Sequence, residues 1–260
     1  MPSHRRVDLD HLLETARLAG AAILDVYGGD FGVERKADSS PLTEADLRAH
    51  RIIGDRLAEC YPDLPVLSEE AAGEWPYEAR RDWKRFWLVD PLDGTKEFVK
   101  RNGQFTVNIA LVEEGRPVAG VVYAPVLDLL YYTDGTGAAY KAERGKEAVN
   151  LGVAGQPRRE KFVIVGSLSH PTPEMDAYVE EQRARHGEIE FLPMGSSLKI
   201  CLVADGQADV YPRLGPTMEW DTAAAHAVAA AAGRRVLRYD TREELLYNKE
   251  NLLNAWFIVE

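Results

Sequence analysis

The segment WLVDPLDGTKEF, Trp87–Phe98, constrains this chain more than any other, because an apolar strand runs straight into two carboxylates, Asp90 and Asp93, and then into a Gly-Thr pair. Pro91 holds its own φ and biases the residue before it toward extended backbone, so the chain is pushed out of the strand between the two acids. That turn directs both carboxylates inward. It also expels the Leu92 carbonyl from the ladder, which makes three oxygens of the kind a hard cation such as Mg²⁺ prefers. Gly94, Thr95 and Lys96 follow at a helix start, where unpaired N–H groups and the helix dipole favour an anion. Metal and phosphate would share one turn. Taken alone, the same segment reads equally well as an Asp-Gly turn after a buried strand.

Other acids occur where local structure does not ask for them. Leu42, Asp46, Ala49, Ile53, Leu57 and Cys60 recur at helical spacing and form one stripe, which places Asp46 on the buried face of a helix. The alternative for this segment is an ordinary helix N-terminus capped by Ser40 or Thr43. The run PVLSEE ends in Glu69 and Glu70, which point different ways on extended backbone, so only one is expected to ligate. Glu69 is preferred, although spacing alone serves Glu70 nearly as well. Asp221, in MEWDTAAAHAV, stands at the first turn of an alanine-rich helix, where it would serve as a ligand or as a cap.

LTEAD (Leu42–Asp46), LSEE (Leu67–Glu70), WLVDPLDGTKEF and EWDTAAAHAV (Glu219–Val228) resemble, in order, the four signatures of the inositol monophosphatase superfamily. The match runs from about residue 40 to residue 232. Within that superfamily the Lys96-Glu97 pair and the stretch GSSLKICLVADGQADVYPRLGPTMEWD (Gly195–Asp221) resemble the CysQ-type 3′(2′),5′-bisphosphate nucleotidases. Members of that branch remove the 3′-phosphate of 3′-phosphoadenosine 5′-phosphate, leaving AMP, in sulfur assimilation. The resemblance implies a layered α-β-α-β-α sandwich. It makes Glu69, Asp90, the Leu92 carbonyl, Asp93 and Asp221 ligands of two or three Mg²⁺ ions. Asp46 and Thr95 would orient the attacking water, with Glu69 assisting. Sensitivity to lithium is implied as well.

Substrate contacts form a second set. Leu92, Asp93, Gly94, Thr95 and Asp221 would meet the scissile phosphate. SLSH, Ser167–His170, follows the strand-like FVIVG and occupies the usual place for a ligand loop. The resemblance gives Ser167 and His170 to the nucleotide, although Leu168 stands where a basic residue is common. Lys199 is the only basic residue in SSLKICLVAD and falls in a helix's first turn, where a cation opposes the dipole, so an anion is expected to compensate it. The alternative is a solvated helix edge. The family pattern pairs Gly195 and Lys199 with the 5′ side of the nucleotide, and Arg213 is a further candidate phosphate contact.

Composition agrees with a small-molecule enzyme. A net charge of −11 over 260 residues argues against binding of a nucleic-acid polymer. Cys60 and Cys201 have no metal spacing, as expected of a reduced cytoplasmic protein. No apolar stretch is long enough for export or a membrane span, while peripheral attachment at the inner membrane stays open. Leu9, Leu12, Leu13, Ala16, Ile23 and Tyr27 mark an amphipathic first helix.

Helices are expected near 8–27, 41–60, 173–185, 196–205 and 220–232. Strands are expected near 86–90, 105–113, 117–124, 128–133, 137–141, 162–166, 188–192, 208–211 and 254–259. EEGRP and TDGTG read as hairpin turns, so the first sheet is a mainly antiparallel meander. An α+β lobe over 1–150 would carry most metal ligands, and an α/β lobe over 151–260 the nucleotide contacts and Asp221, as one catalytic unit. Inositol monophosphatase and fructose-1,6-bisphosphatase would share every metal ligand and differ in the loops around His170, Lys199 and Arg213. A non-catalytic cation or nucleotide binder would have no use for the Asp46–Thr95 pair. The oligomeric state is not set by these residues.

Overall fold

The computed structural model describes residues 7–29, 33–35, 41–133, 135–152, 160–167 and 172–260. Its N-terminal elements are α1 (Leu9–Tyr27), β1 (Val33–Arg35), β2 (Pro41–Thr43), α2 (Glu44–Cys60), β3 (Val66–Ser68), a 3₁₀ turn (Glu69–Glu74), α3 (Tyr77–Arg80), β4 (Arg85–Asp93) and α4 (Thr95–Val99). The meander continues through β5 (Thr106–Glu113), β6 (Arg116–Ala124), β7 (Leu129–Thr133), β8 (Ala139–Glu143) and β9 (Val149–Asn150). The remainder is β10 (Phe162–Gly166), α5 (Pro173–His186), β11 (Ile189–Pro193), α6 (Leu198–Ala204), β12 (Tyr211–Arg213), α7 (Ala223–Ala231), β13 (Val236–Arg238) and β14 (Phe257–Val259).

Strand alternation explains the layers. On β4 the side chains of Trp87 and Val89 join a core with Leu12, Ala16 and Ile23 of α1 and Ala49, Ile53 and Leu57 of α2. Phe86 and Leu88, pointing the other way, pack with Leu202 and Val203 of α6 and Ala224 and Val228 of α7. On β10, Val163 and Val165 face that same second core, while Ile164 faces a third with Tyr178 of α5, Val210 and Ile258. The order is therefore α1/α2, a seven-stranded sheet, α6/α7, a second set of strands, and α5: the expected α-β-α-β-α sandwich. Strands β3 to β9 lie in sequence order in the large sheet, with only β3–β4 parallel among its described pairs.

The two halves of the chain share the middle core, since α7 from the second half packs on β5 and β6 of the first. The Asp46 stripe is buried as expected, but the helix begins at Glu44, not at 41, because Pro41–Thr43 pairs with β1. The C-terminal strands are shorter than expected, β12 starting at Tyr211 and β14 at Phe257, and β13 had no strand assigned from sequence. Val210 makes a single parallel bridge to Ile164 of β10 before β12 begins its pairing with β14, and 254–256 runs as loop before β14. The C-terminal half is thus held more by loops than its pattern suggests.

Gly120 marks where α7 meets β6. A Cβ there would sit 2.6 Å from the Ala224 carbonyl oxygen and 2.9 Å from its Cα, both backbone atoms that cannot swing aside. Gly120→Ala should lower unfolding free energy by about 1–3 kcal/mol in a denaturant titration; an unchanged midpoint would show that α7 shifts freely on the sheet.

Candidate active site

The site begins with a bulge in β4. Asp90 pairs with Asn108 and Asp93 with Thr106, leaving Pro91 and Leu92 opposite Val107 alone. The strand therefore does not end at Pro91, as the sequence reading has it, but continues with two residues out of register, which re-aims both acids. The Leu92 N–H closes on Asp90 Oδ1 at 3.0 Å. Gly94 then takes φ 93°, a left-handed conformation suited to glycine, and starts α4 with Thr95 as its first residue.

Asp221 arrives from the C-terminal half of the chain. It precedes α7 rather than opening it, since the helix starts at Ala223, and its Oδ2 accepts the Met218 N–H at 2.9 Å. One carboxylate oxygen each from Asp90, Asp93 and Asp221 lies within 4.8 Å of the others. Glu69, not Glu70, joins them in lining a cleft of about 630 Å³, together with Leu92, Gly94, Thr95, Ser167 and Arg213. Asp46 is 2% exposed in the first turn of α2. Its charge reaches Asp90. His50, on the same helix, meets Ser68 Oγ at 2.9 Å and so tethers the residue before Glu69 to α2.

These acids repel one another. Burial holds the Asp90 carboxyl well above the usual carboxylate range, and Glu69, Asp93, Asp221 and Asp46 add to the shift in that order. Burial likewise raises Asp221, with Asp93 the largest neighbouring contribution. Asp93 is pushed up to about 6 by burial, against the opposing pull of Lys199 and of the Ser197 N–H, which it accepts at 2.6 Å. Carboxylates crowded this way favour either protons or a cation. An all-oxygen donor set of clustered carboxylates suits a divalent hard cation.

Lys199 is not on a solvated helix edge; it is 6% exposed in α6. Its ammonium donates to the Ser196 carbonyl at 2.5 Å, and burial lowers it to about 8 while Asp93 pulls it back up. The expected compensating anion is thus Asp93 in part. Arg213 donates to the Pro216 carbonyl at 2.7 Å, and its buried Nε has no hydrogen-bond partner among the described residues. A smaller recess of about 110 Å³ lies beside Lys199, Arg213, Tyr211 and Ser167 and opens on Asp93 and Asp221. Gly195 is buried, and its N–H goes to Gln104 Oε1 at 2.9 Å. A Cβ there would come within 2.6 Å of the Gln104 carbonyl, so this glycine serves close packing. His170 lies outside the described residues.

Residues 5–256 match the model of the inositol monophosphatase family. The chain belongs to that family. Among relatives, the 3′(2′),5′-bisphosphate nucleotidase CysQ of Salmonella typhimurium is 49% identical over 253 residues, 96% of this chain and 98% of that protein. The protein of the same name from Escherichia coli K12 is also 49% identical over 253 residues, with the same coverage of each chain. The crystal structure of CysQ from Bacteroides thetaiotaomicron, a bacterial member of the family, superposes with a TM-score of 0.87 at 45% identity, covering 99% of this chain and 98% of that one.

Several site residues were not singled out from sequence. Ser197 anchors Asp93 through its N–H and donates its hydroxyl to Asn108 at 2.8 Å, while Thr106 joins the same cluster. The Gly-Ser-Ser before Lys199 signals a turn, but nothing local in it points to Asp93. Glu219, fully buried, escaped notice because an acid beside Trp220 in a loop reads as surface.

A raised carboxyl binds its proton more tightly in the folded protein than in the unfolded chain. Asp93 therefore stabilises the metal-free fold below the ordinary carboxylate range, and that contribution is lost as pH rises through about 6. A cation competing for the same oxygens must show the opposite trend. The rise in thermal midpoint on adding Mg²⁺ should grow between about pH 5 and about pH 8. A gain as large at the acid end would contradict this assignment.

Proposed function

We propose that the chain is a Mg²⁺-dependent phosphoric monoester hydrolase that removes the 3′-phosphate of 3′-phosphoadenosine 5′-phosphate, yielding AMP and phosphate, in sulfur assimilation. The 5′-phosphosulfate analogue would give adenosine 5′-phosphosulfate by the same route. The observation that carries this reading is one cleft with two chemically different ends: an acid cluster, and beside it the cations Lys199, buried, and Arg213, partly exposed. A bisphosphate needs both. The scissile phosphate goes to the acidic end by way of cations, and the second phosphate to the basic recess.

Glu69, Asp90, Asp93, Asp221 and the Leu92 carbonyl would hold two or three Mg²⁺ ions. When bound, such ions lower the pKa of water and neutralise charge on the transferring phosphate. The chain's own groups do the rest. Asp46 accepts the hydroxyl proton of Thr95, which leaves Thr95 Oγ1 to accept from the attacking water and aim it. The backbone N–H groups of Gly94 and Thr95 orient the phosphate oxygens. Lys199, Arg213, Ser167 and His170 position the nucleotide, Gly195 contributes by letting the turn before Lys199 pack closely, and Asp221, near the leaving oxygen, helps return a proton to it. Support comes from the burial of Asp46 within reach of Asp90, and from Thr95 and Ser167 on the cleft wall. The same account places the enzyme in the cytoplasm. No described helix is long and apolar enough to cross a membrane.

Asp46→Asn and Thr95→Ala should keep the fold and the melting temperature yet lose about 10²-fold or more in kcat. A variant of either kind turning over near the wild-type rate would remove the pair from the mechanism. Phosphate release should be fastest from 3′-phosphoadenosine 5′-phosphate, slower from inositol 1-phosphate and fructose 1,6-bisphosphate, and inhibited by Li⁺. Preference for either sugar phosphate would move the chain to another branch of the family, and no release with any of them would leave a cation binder.

A further inference from the structure

Behind Asp221 lies a polar network that the proposed chemistry does not use. Glu219 is 0% exposed, and its carboxylate accepts the Asn248 N–H at 2.6 Å, the Lys249 N–H at 3.0 Å and the Lys249 ammonium at 2.5 Å. These bonds bring the segment 248–254 alongside the turn that carries Asp221. The Glu219 N–H donates to the Leu252 carbonyl at 2.9 Å, and Asn254 Nδ2 donates to the Met218 carbonyl at 2.8 Å. Arg80 grips the same segment from the N-terminal lobe. It is 2% exposed, and it donates to Asn248 Oδ1 at 2.9 Å, to the Lys249 carbonyl at 2.7 Å and to the Glu250 carbonyl at 2.9 Å. Its Nε donates to the Trp75 carbonyl at 3.3 Å, immediately after the 3₁₀ turn that starts at Glu69. Asn248 answers by donating Nδ2 to the Arg80 carbonyl at 2.8 Å.

We propose that Arg80, Asn248, Lys249 and Glu219 form a brace that sets the spacing between Asp221 and the acids of the N-terminal lobe, and thereby sets the cation affinity of the site. The inference rests on the reading of Asp221 as a metal ligand. Asp90 and Asp93 sit on one strand, so its backbone limits how far they can part. Asp221 reaches them from the C-terminal half of the chain, on a loop just before α7. Four repelling carboxylates would drive that loop outward, and a fully buried acid held by three N–H donors is stiff enough to resist. Arg80 suits the anchoring role because its planar guanidinium meets four acceptors at once, one more than a lysine ammonium has protons to donate. These four are positioning residues, acting on the cation through Asp221.

The test is isothermal titration of metal-free protein with Mn²⁺, well below the melting temperature, on wild type, Arg80→Lys, Lys249→Met and Asp221→Asn. Arg80→Lys and Lys249→Met should each weaken Mn²⁺ binding by about tenfold, the loss typical when groups supporting metal ligands are removed. A purely structural network would lower the melting temperature and leave the dissociation constant of the folded protein within twofold, which would overturn the proposal. Should Arg80→Lys fail to fold, Lys249→Met, at a half-buried position, gives the same reading by itself. Asp221→Asn separates the two levels of the argument. If it binds Mn²⁺ as wild type does, the ligand assignment fails and the brace with it; if it alone loses affinity, only the brace is wrong.

Discussion

Mutual repulsion among buried carboxylates is the constraint around which this molecule is arranged. Asp90, Asp93 and Asp221 would separate if their backbones allowed it, and burial already drives each of them toward the protonated form. Each is instead held by one oxygen on a backbone N–H, from Leu92, Ser197 and Met218 respectively. One oxygen of each lies within 4.8 Å of one from each of the others. The β4 bulge supplies two of the three acids, and the bulge exists because proline cannot donate to the ladder. A site built this way is complete only with positive charge in it.

The basic recess follows the same logic with the opposite sign. Lys199 would not remain buried in water-poor surroundings without acceptors, and it has carbonyls from its own turn plus the field of Asp93. Asp93 thereby belongs to both ends of the cleft. That shared residue would give the proposed preference for a bisphosphate a physical reason: a substrate with one phosphate would satisfy the acid cluster alone and leave buried Lys199 with its desolvation cost. The family fold supplies the acids, and the loop between β11 and α6 with β12 supplies the recess.

Much of this was legible in the sequence because it depends on local pattern. The strand leading to Asp90, the buried stripe through Asp46 and the antiparallel meander follow from periodicity, proline chemistry and spacing, whereas the four acidic motifs in their order were legible only through the family resemblance. Glu69 and Glu70 could not be separated that way, since adjacent residues differ only in direction and the direction is set by the 3₁₀ turn that follows. Lys199 was placed correctly at the start of a helix, but its burial depends on Asp93 and Tyr211 approaching from other elements. The brace was invisible for the same reason. Arg80 and Asn248 stand 168 positions apart, and nothing in either neighbourhood announces the other. What the sequence hides is whatever is stabilised only by long-range polar contacts.

The central claim, that acids from both halves of the chain converge on bound cations, is most directly tested by anomalous diffraction from crystals grown with Mn²⁺. The account predicts at least one strong peak within coordination distance of Asp90, Asp93 and Asp221 together. Peaks confined to surface carboxylates at saturating Mn²⁺, with that trio spread apart, would contradict it.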